Sequence, residues 1–341
     1  MTYFQRFIFL FGFILLSAFS AAATAAGSDG LFVFAEEGLS AEDDFPSTDD
    51  FRITPNGVHF QTDTDLFLGQ KQRRRGSGGR FWTNLYYGAT TLKPKDTVRI
   101  KPDEYGVQFG FDVVQTHGIY STFLGNFQRS SVKIQDTAKS TAETYTIGYG
   151  KFAYLRGCHF GGLGTISYDK YKISRSTVGS NGDGKGVQTN IFGEFGIDFV
   201  LPRFAIKPFY ALQYDFLYHG RIGEKGSEFQ DDWNGDGLTQ LFGSKFNIGI
   251  SDSIELQIRT TWVHELLDPQ PFFNARFGPV QGTMTPAIFY YNGYTGRDWA
   301  WLGASFKWEI CYNVFLFLDY DATINKYHTT NFGNIGLCLG W

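Results

Sequence analysis

The strongest constraint in this 341-residue chain is a period of two that recurs along its length. Tyr105, Val107, Phe109, Phe111 and Val113 share one face of a segment whose other face carries Gly106, Gln108, Gly110 and Asp112. Ile254, Leu256, Ile258, Thr260 and Trp262 likewise oppose Glu255, Gln257, Arg259 and Thr261. Alternation of this kind is the signature of a β-strand with two different environments, and a helix of period 3.6 does not produce it. Twelve segments carry the pattern: 80–92, 104–114, 118–129, 143–155, 159–173, 187–200, 204–218, 238–250, 254–264, 297–310, 314–323 and 327–341.

The connections between them are sorted by parity. The even ones are short: Gln115-Thr116-His117, Arg156-Gly157-Cys158, Leu201-Pro202-Arg203, Ser251-Asp252-Ser253 and Cys311-Tyr312-Asn313. The odd ones are long and polar, as in 93–103, 130–142, 174–186, 219–237 and 265–296, with only 324–326 short among them. A soluble sandwich does not sort its loops this way, and its strands run to about 5 to 6 residues. Short turns on one rim and long loops on the other describe an outer-membrane barrel, whose strands need about 9 to 11 residues to cross a bilayer. Closure of an even number of strands also removes the edges that lipid cannot hydrate. The expected fold is therefore all-β, a transmembrane antiparallel up-and-down barrel of twelve strands.

With the apolar faces turned to lipid, the alternate positions line the lumen. These carry Asp112, Glu194, Asp198, Lys207, Asp215, Lys245, Glu255, Arg259, Lys307, Glu309 and Asp319, with Gly106, Gly110, Gly148, Gly249, Gly303 and Gly336 among them. Charges of both signs can pair across a lumen, and glycine relieves crowding where strands curve. Trp82, Tyr86, Tyr87, Tyr145, Tyr218, Trp262, Trp299, Trp308 and Trp341 lie near segment ends and are expected in aromatic girdles at headgroup level. Such girdles account for much of an aromatic content of 18% without any ligand pocket.

Three domains of sequence are expected: a signal peptide at 1–25, an N-terminal segment at 26–79 and the barrel at 80–341. Residues 1–25 contain one charge, Arg6, an apolar run from Phe7 to Leu16, and Ala23-Thr24-Ala25 as a cleavage-type sequence. Residues 26–68 are acidic, with Glu36, Glu37, Glu42, Asp43, Asp44, Asp49, Asp50, Asp63 and Asp65 against Arg52. The basic run Lys71 to Arg75 and Gly76-Ser77-Gly78-Gly79 then lead into the barrel. A lumen plug, a short passenger at the surface and a periplasmic tail are all compatible with this segment.

Little else in the chain suggests chemistry. The net charge of −4 excludes a strongly basic surface, so nucleic acid is not an expected partner. No pair of histidines has metal-ligand spacing, and Cys158, Cys311 and Cys338 match no zinc or redox motif. Asp232-Trp233-Asn234-Gly235-Asp236-Gly237 imitates the start of a calcium loop, but Gly243 stands where the bidentate acid belongs. No nucleophile elbow is present. The expectation is a protein that is not an enzyme, with no cofactor and no metal.

The barrel segments resemble the autotransporter β-domain family over residues 80–341. The resemblance is carried by Thr261-Trp262-Val263-His264-Glu265-Leu266, Asn274-Ala275-Arg276-Phe277, Trp299-Ala300-Trp301-Leu302-Gly303-Ala304 and Leu316-Phe317-Leu318-Asp319-Tyr320-Asp321. Gly336-Leu337-Cys338-Leu339-Gly340-Trp341 ends the chain, and Tyr105 to Asp112 and Tyr145 to Gly150 match the family's second and fourth strands. The resemblance implies a monomeric translocator, integral to the outer membrane of a Gram-negative-type envelope. Its implied partners are outer-membrane lipids, the barrel-assembly machinery and its own N-terminal segment. Ile335, Leu337, Leu339 and Trp341 would be the assembly-signal strand. The chain departs from the family in having only residues 26–79 before the barrel, where large passengers and a pore-threading helix are expected. The alternative is a narrow, porin-like diffusion pore without a passenger.

Overall fold

A computed structural model describes residues 51–54, 57–60, 79–92, 100–116, 119–134, 138–155, 157–175, 180–201, 203–220, 222–224, 229–230, 233–251, 253–267, 275–276, 297–326 and 328–340. The signal-peptide segment, the basic run Lys71 to Arg75 and Trp341 lie outside these residues. In chain order the strands are β1 (Phe51–Thr54), β2 (Gly57–Phe60), β3 (Gly79–Leu92), β4 (Ile100–Thr116), β5 (Ile119–Ile134) and β6 (Ala138–Leu155). They continue as β7 (Cys158–Arg175), β8 (Ser180–Ile197), β9 (Phe199–Leu201), β10 (Phe204–His219), β11 (Ile222–Glu224) and β12 (Phe229–Gln230). The last are β13 (Trp233–Ser251), β14 (Ile254–Glu265), β15 (Ala275–Arg276), β16 (Asp298–Cys311), β17 (Val314–Ile324) and β18 (His328–Gly340).

β1 and β2 pair with each other as a separate antiparallel hairpin. The long strands form one antiparallel sheet in sequence order, and β18 pairs with β3 from His328↔Leu92 to Gly340↔Arg80. That pairing closes a twelve-strand barrel in which β8 and β9 act as one strand interrupted at Asp198, since both pair with β10. Closure leaves no long edge whose N–H and C=O groups would be unpaired in hydrocarbon.

The short-turn rim is built from two-residue connections at 117–118, 156–157, 202–203, 252–253 and 312–313. The second residue has positive φ at Gly157 (80°), Arg203 (64°) and Asn313 (60°). Glycine and asparagine suit this left-handed geometry, whereas the arginine adopts it at a cost of about 1 kcal/mol. The opposite rim departs from the sequence reading. The stretches 130–142 and 174–186, read above as loops, are mostly paired strand, so β5 meets β6 across 135–137 and β7 meets β8 across 176–179. Their polar residues hid the continuing ladder, because a strand that has left the lipid belt no longer needs an apolar face. The calcium-like sequence is also strand from Trp233 onward, with Asn234 opposite Tyr218 and Asp236 opposite Phe216.

Outward positions carry exposed apolar side chains, among them Leu85, Phe123, Ile147, Ile166, Phe242, Leu302, Ile335, Leu337 and Leu339. For a soluble protein such a surface would be an aggregation hazard, but a lipid-facing wall requires it. Tyr87, Tyr145, Tyr218, Trp262 and Trp308 are on this outer face. Three residues expected in the girdles are not. Trp82 and Tyr86 are buried on the inner face, and Trp299 packs against the interior cluster. In β3 both faces are aromatic, so proximity to a segment end could not tell inside from outside.

Candidate functional site: the barrel lumen

The inward positions of the strands carry the charges singled out in the sequence. Asp112, Glu194, Asp198, Lys207, Lys245, Glu255, Arg259, Lys307 and Asp319 are all buried inside the barrel, while Asp215 and Glu309 are partly buried. Most lie towards the short-turn rim, where strand register brings them together. Lys207 of β10 is opposite Lys245 of β13, which is opposite Arg259 of β14. Glu255 of β14 is opposite Lys307 of β16.

Like charges on adjacent strands repel unless carboxylates intervene, and here they do. Lys245 Nζ donates to Glu194 Oε1 at 2.7 Å, and Lys207 Nζ lies 3.7 Å from Asp198 Oδ2. Between the two carboxylates sits His159, with Nδ1 2.9 Å from Asp198 and Nε2 3.1 Å from Glu194. One imidazole thus ties β7 to β8 and to Asp198 at the break between β8 and β9. Arg259 pairs with Asp321 of β17, and Trp301 Nε1 donates to the same carboxylate at 3.1 Å.

Apolar side chains are interleaved with these charges, which the sequence reading had assigned to lipid. Trp82, Phe152, Leu163, Phe192, Phe209, Leu241, Trp301, Phe315, Phe317 and Cys338 belong to one buried cluster. The rings carry the cations. Lys245 Nζ lies 4.4 Å from the centroid of Phe209, the Arg259 guanidinium 4.1 Å from that of Trp301, and Lys307 Nζ 5.0 Å from that of Phe315. A cation over an aromatic face recovers part of the attraction lost on leaving water. The glycines make room for the rings. A Cβ at Gly110 would lie 2.7 Å from Trp82 Nε1 and nearer still to its ring carbons, so the indole is seated only because residue 110 has no side chain.

Towards the long-loop rim the chemistry changes. Asp169 accepts from Thr144 (2.5 Å), Tyr171 (3.0 Å) and Gln188 (2.8 Å), and Asp215 accepts from Asn190 and from Gln213 at 2.8 Å. Glu104 accepts from Gln128 at 2.6 Å, and Glu265 accepts from Thr239 and from the Leu238 N–H, both at 2.8 Å. These donors to the four carboxylates are neutral, whereas the lower belt pairs acids with bases. His159, Glu104, Asp169, Glu265 and Asp321 were not singled out in the sequence. Parity would have found Glu104, Glu265 and Asp321, since each shares a strand face with a residue already assigned inward, as Asp321 does with Asp319, whereas β7, which carries His159 and Asp169, had no residue assigned inward.

Among the described residues no group of three or more His, Cys, Asp or Glu is placed to hold a metal ion. Cys158 is half-buried and Cys311 is exposed, both as free thiols, while Cys338 is an apolar filler of the interior cluster. The assembly-signal residues Ile335, Leu337 and Leu339 all lie on the outer face of β18.

The autotransporter β-domain family model matches residues 81–321. Among solved structures, the chain is similar to the translocator domain of autotransporter NalP from Neisseria meningitidis, with 17% identity and a TM-score of 0.66, covering 80% of this chain and 91% of that one. The transport unit of the autotransporter AIDA-I from Escherichia coli follows at 11% identity and TM-score 0.60, covering 79% and 91%. The β-domain of the Bordetella autotransporter BrkA has 12% identity and TM-score 0.59, covering 78% and 100%. No curated protein sequence matches the chain.

Proposed function

This chain belongs to the autotransporter β-domain family, and from that premise we propose that its translocator barrel is integral to the outer membrane and serves as conduit and anchor for its own residues 26–79. The observation that carries the reading is the direction of β3. Gly79 opens that strand at the short-turn rim, where Arg80 is opposite Asp112 near the end of β4, so the preceding chain joins the barrel on the periplasmic side. A segment displayed on the cell surface must then pass through the lumen, whose wall offers charges of both signs and aromatic rings. The hairpin β1–β2 belongs to this segment, and β2 lies against β8.

In this reading the barrel-assembly machinery acts on β18, outer-membrane lipids cover the outer face, and the barrel is a monomer that performs no catalysis. Protease shaving of intact cells tests it. Cleavage within residues 26–79 is the expected result, and complete protection until the cells are permeabilised would overturn surface display. The mixed-charge lumen supports a second reading, a narrow diffusion pore. Planar-bilayer recordings that show no conductance, with and without residues 26–79, would sink that alternative.

A further inference from the structure

We propose that the outer face of β4–β8, just beyond the lipid belt at the long-loop rim, binds the phosphate groups of an anionic outer-leaflet lipid. The inference rests on the membrane orientation adopted above. On β6 the apolar outer face ends at Tyr145, and on β7 it ends at Tyr168. The next outward residues are charged. Arg129, Glu143, Lys170 and Lys185 form one row across β5–β8, each directly opposite the next. Lys170 Nζ is 5.4 Å from the centroid of the Tyr145 ring, so this cation stands on the aromatic boundary of the belt.

Two rows carry facing cations. Lys170 is opposite Lys185, and further out Lys101 is opposite Lys133, which is opposite Lys139. Like charges directly across from each other destabilise a sheet, and a tyrosine or threonine would serve the strands better. Between these rows lie Asp103, Lys172 and Asp183, with Lys172 opposite Asp183. Among the described side chains of this face, five cations, Arg129, Lys139, Lys170, Lys172 and Lys185, meet three carboxylates, Asp103, Glu143 and Asp183, an excess of two positive charges (5 − 3). Neighbouring strands are about 4.8 Å apart, so the facing Lys170 and Lys185 lie within reach of one phosphate group.

Among the described residues of the long barrel strands near this rim, the outward cations are confined to one sector, and Arg297 and Lys326 are exposed in the connections elsewhere. The outward positions of β10, β13, β14 and β16 include Asp236 and Asp298 and contain no lysine or arginine. Asp298 there accepts from Trp262 Nε1 at 3.1 Å and lies 2.8 Å from His264 Nδ1. A ligand of fixed negative charge, held at headgroup height on one side, explains why the cations cluster.

The test uses the full chain folded in zwitterionic detergent, with lipopolysaccharide as the probe and the same lipid stripped of phosphate as its control. Binding is compared between the native chain and a K139Q/K170Q/K185Q variant, whose exposed side chains leave the barrel core untouched. The phosphorylated lipid should bind the native chain at least about tenfold more tightly than either the stripped lipid or the variant allows, and affinity should fall as salt rises. Competition by millimolar inorganic phosphate would assign the site to phosphate as such, and competition only by the lipid would assign it to the headgroup on its anchor. A heat-modifiable barrel that binds both lipids equally, or whose variant binds as the native chain does, would overturn the site alone. A chain that yields no heat-modifiable barrel would overturn the membrane reading and the site with it.

Discussion

Lys245→Met is the sharpest probe of how the lumen is held together. Lys245 is fully buried, donates to Glu194 at 2.7 Å and lies over the Phe209 ring. At that separation the gross attraction to one carboxylate is about 6 kcal/mol with an effective dielectric near 20. The desolvation of the ammonium opposes it, so the pair contributes far less to net stability. Removing only the cation, however, leaves Glu194 buried against the His159 ring, and a buried charge that loses its partner costs about 3–5 kcal/mol. The double variant K245M/E194Q should recover most of that loss, because the amide introduced at position 194 keeps an acceptor for His159 and no longer requires a counter-charge. Urea denaturation of the folded barrel in detergent, followed by heat-modifiable mobility, measures all three chains. A loss below about 1 kcal/mol for Lys245→Met, or a double variant no more stable than the single one, would refute the account of the belt as mutually compensating charges.

Other perturbations test separate parts of the fold. Gly110→Leu should expel the Trp82 indole from the lumen wall, lowering the yield of heat-modifiable barrel and shifting tryptophan emission, whereas Gly164→Ala, where a Cβ meets nothing within 4 Å, should fold normally. Ile335→Arg places a cation on the outer face in the row shared by Phe306, Leu318 and Leu85, and should cost about 2–4 kcal/mol in lipid vesicles. The penalty should be smaller in detergent micelles that thin around the charge. Asn313→Val puts a β-branched residue at φ 60° in a two-residue turn and should destabilise the barrel by about 1–2 kcal/mol, read as a lower denaturation midpoint. Asn313→Gly should be neutral in the same titration.

How much was legible in the chain depends on which contrast a residue displays to its neighbours. In β14, isoleucine, leucine and tryptophan alternate with glutamate, glutamine and arginine, so the inward placement of Glu255 and Arg259 could be read directly. In β17 the inward residues begin as Phe315 and Phe317 and continue as Asp319 and Asp321, while Leu316, Leu318 and Tyr320 face out. Half of that inner face is apolar, which masked it at the short-turn end. The same limit put Trp82, Tyr86 and Trp299 in the wrong environment. In β5–β8 the reverse failure occurred, since strands beyond the lipid belt are polar on both faces and were read as loops.

The sequence alone determined the strand number, the order of the strands and which rim carries the short turns. Those features are local: period two follows from the pleat, and turn length from the residues between two pleated runs. Only the tertiary structure decided which partners meet across the lumen. His159 bridges Glu194 and Asp198 from 35 and 39 residues away, Lys245 reaches Glu194 from 51, and Arg259 reaches Asp321 from 62. Register and closure set those meetings, because a slip of one residue in any ladder would turn a buried charge into lipid.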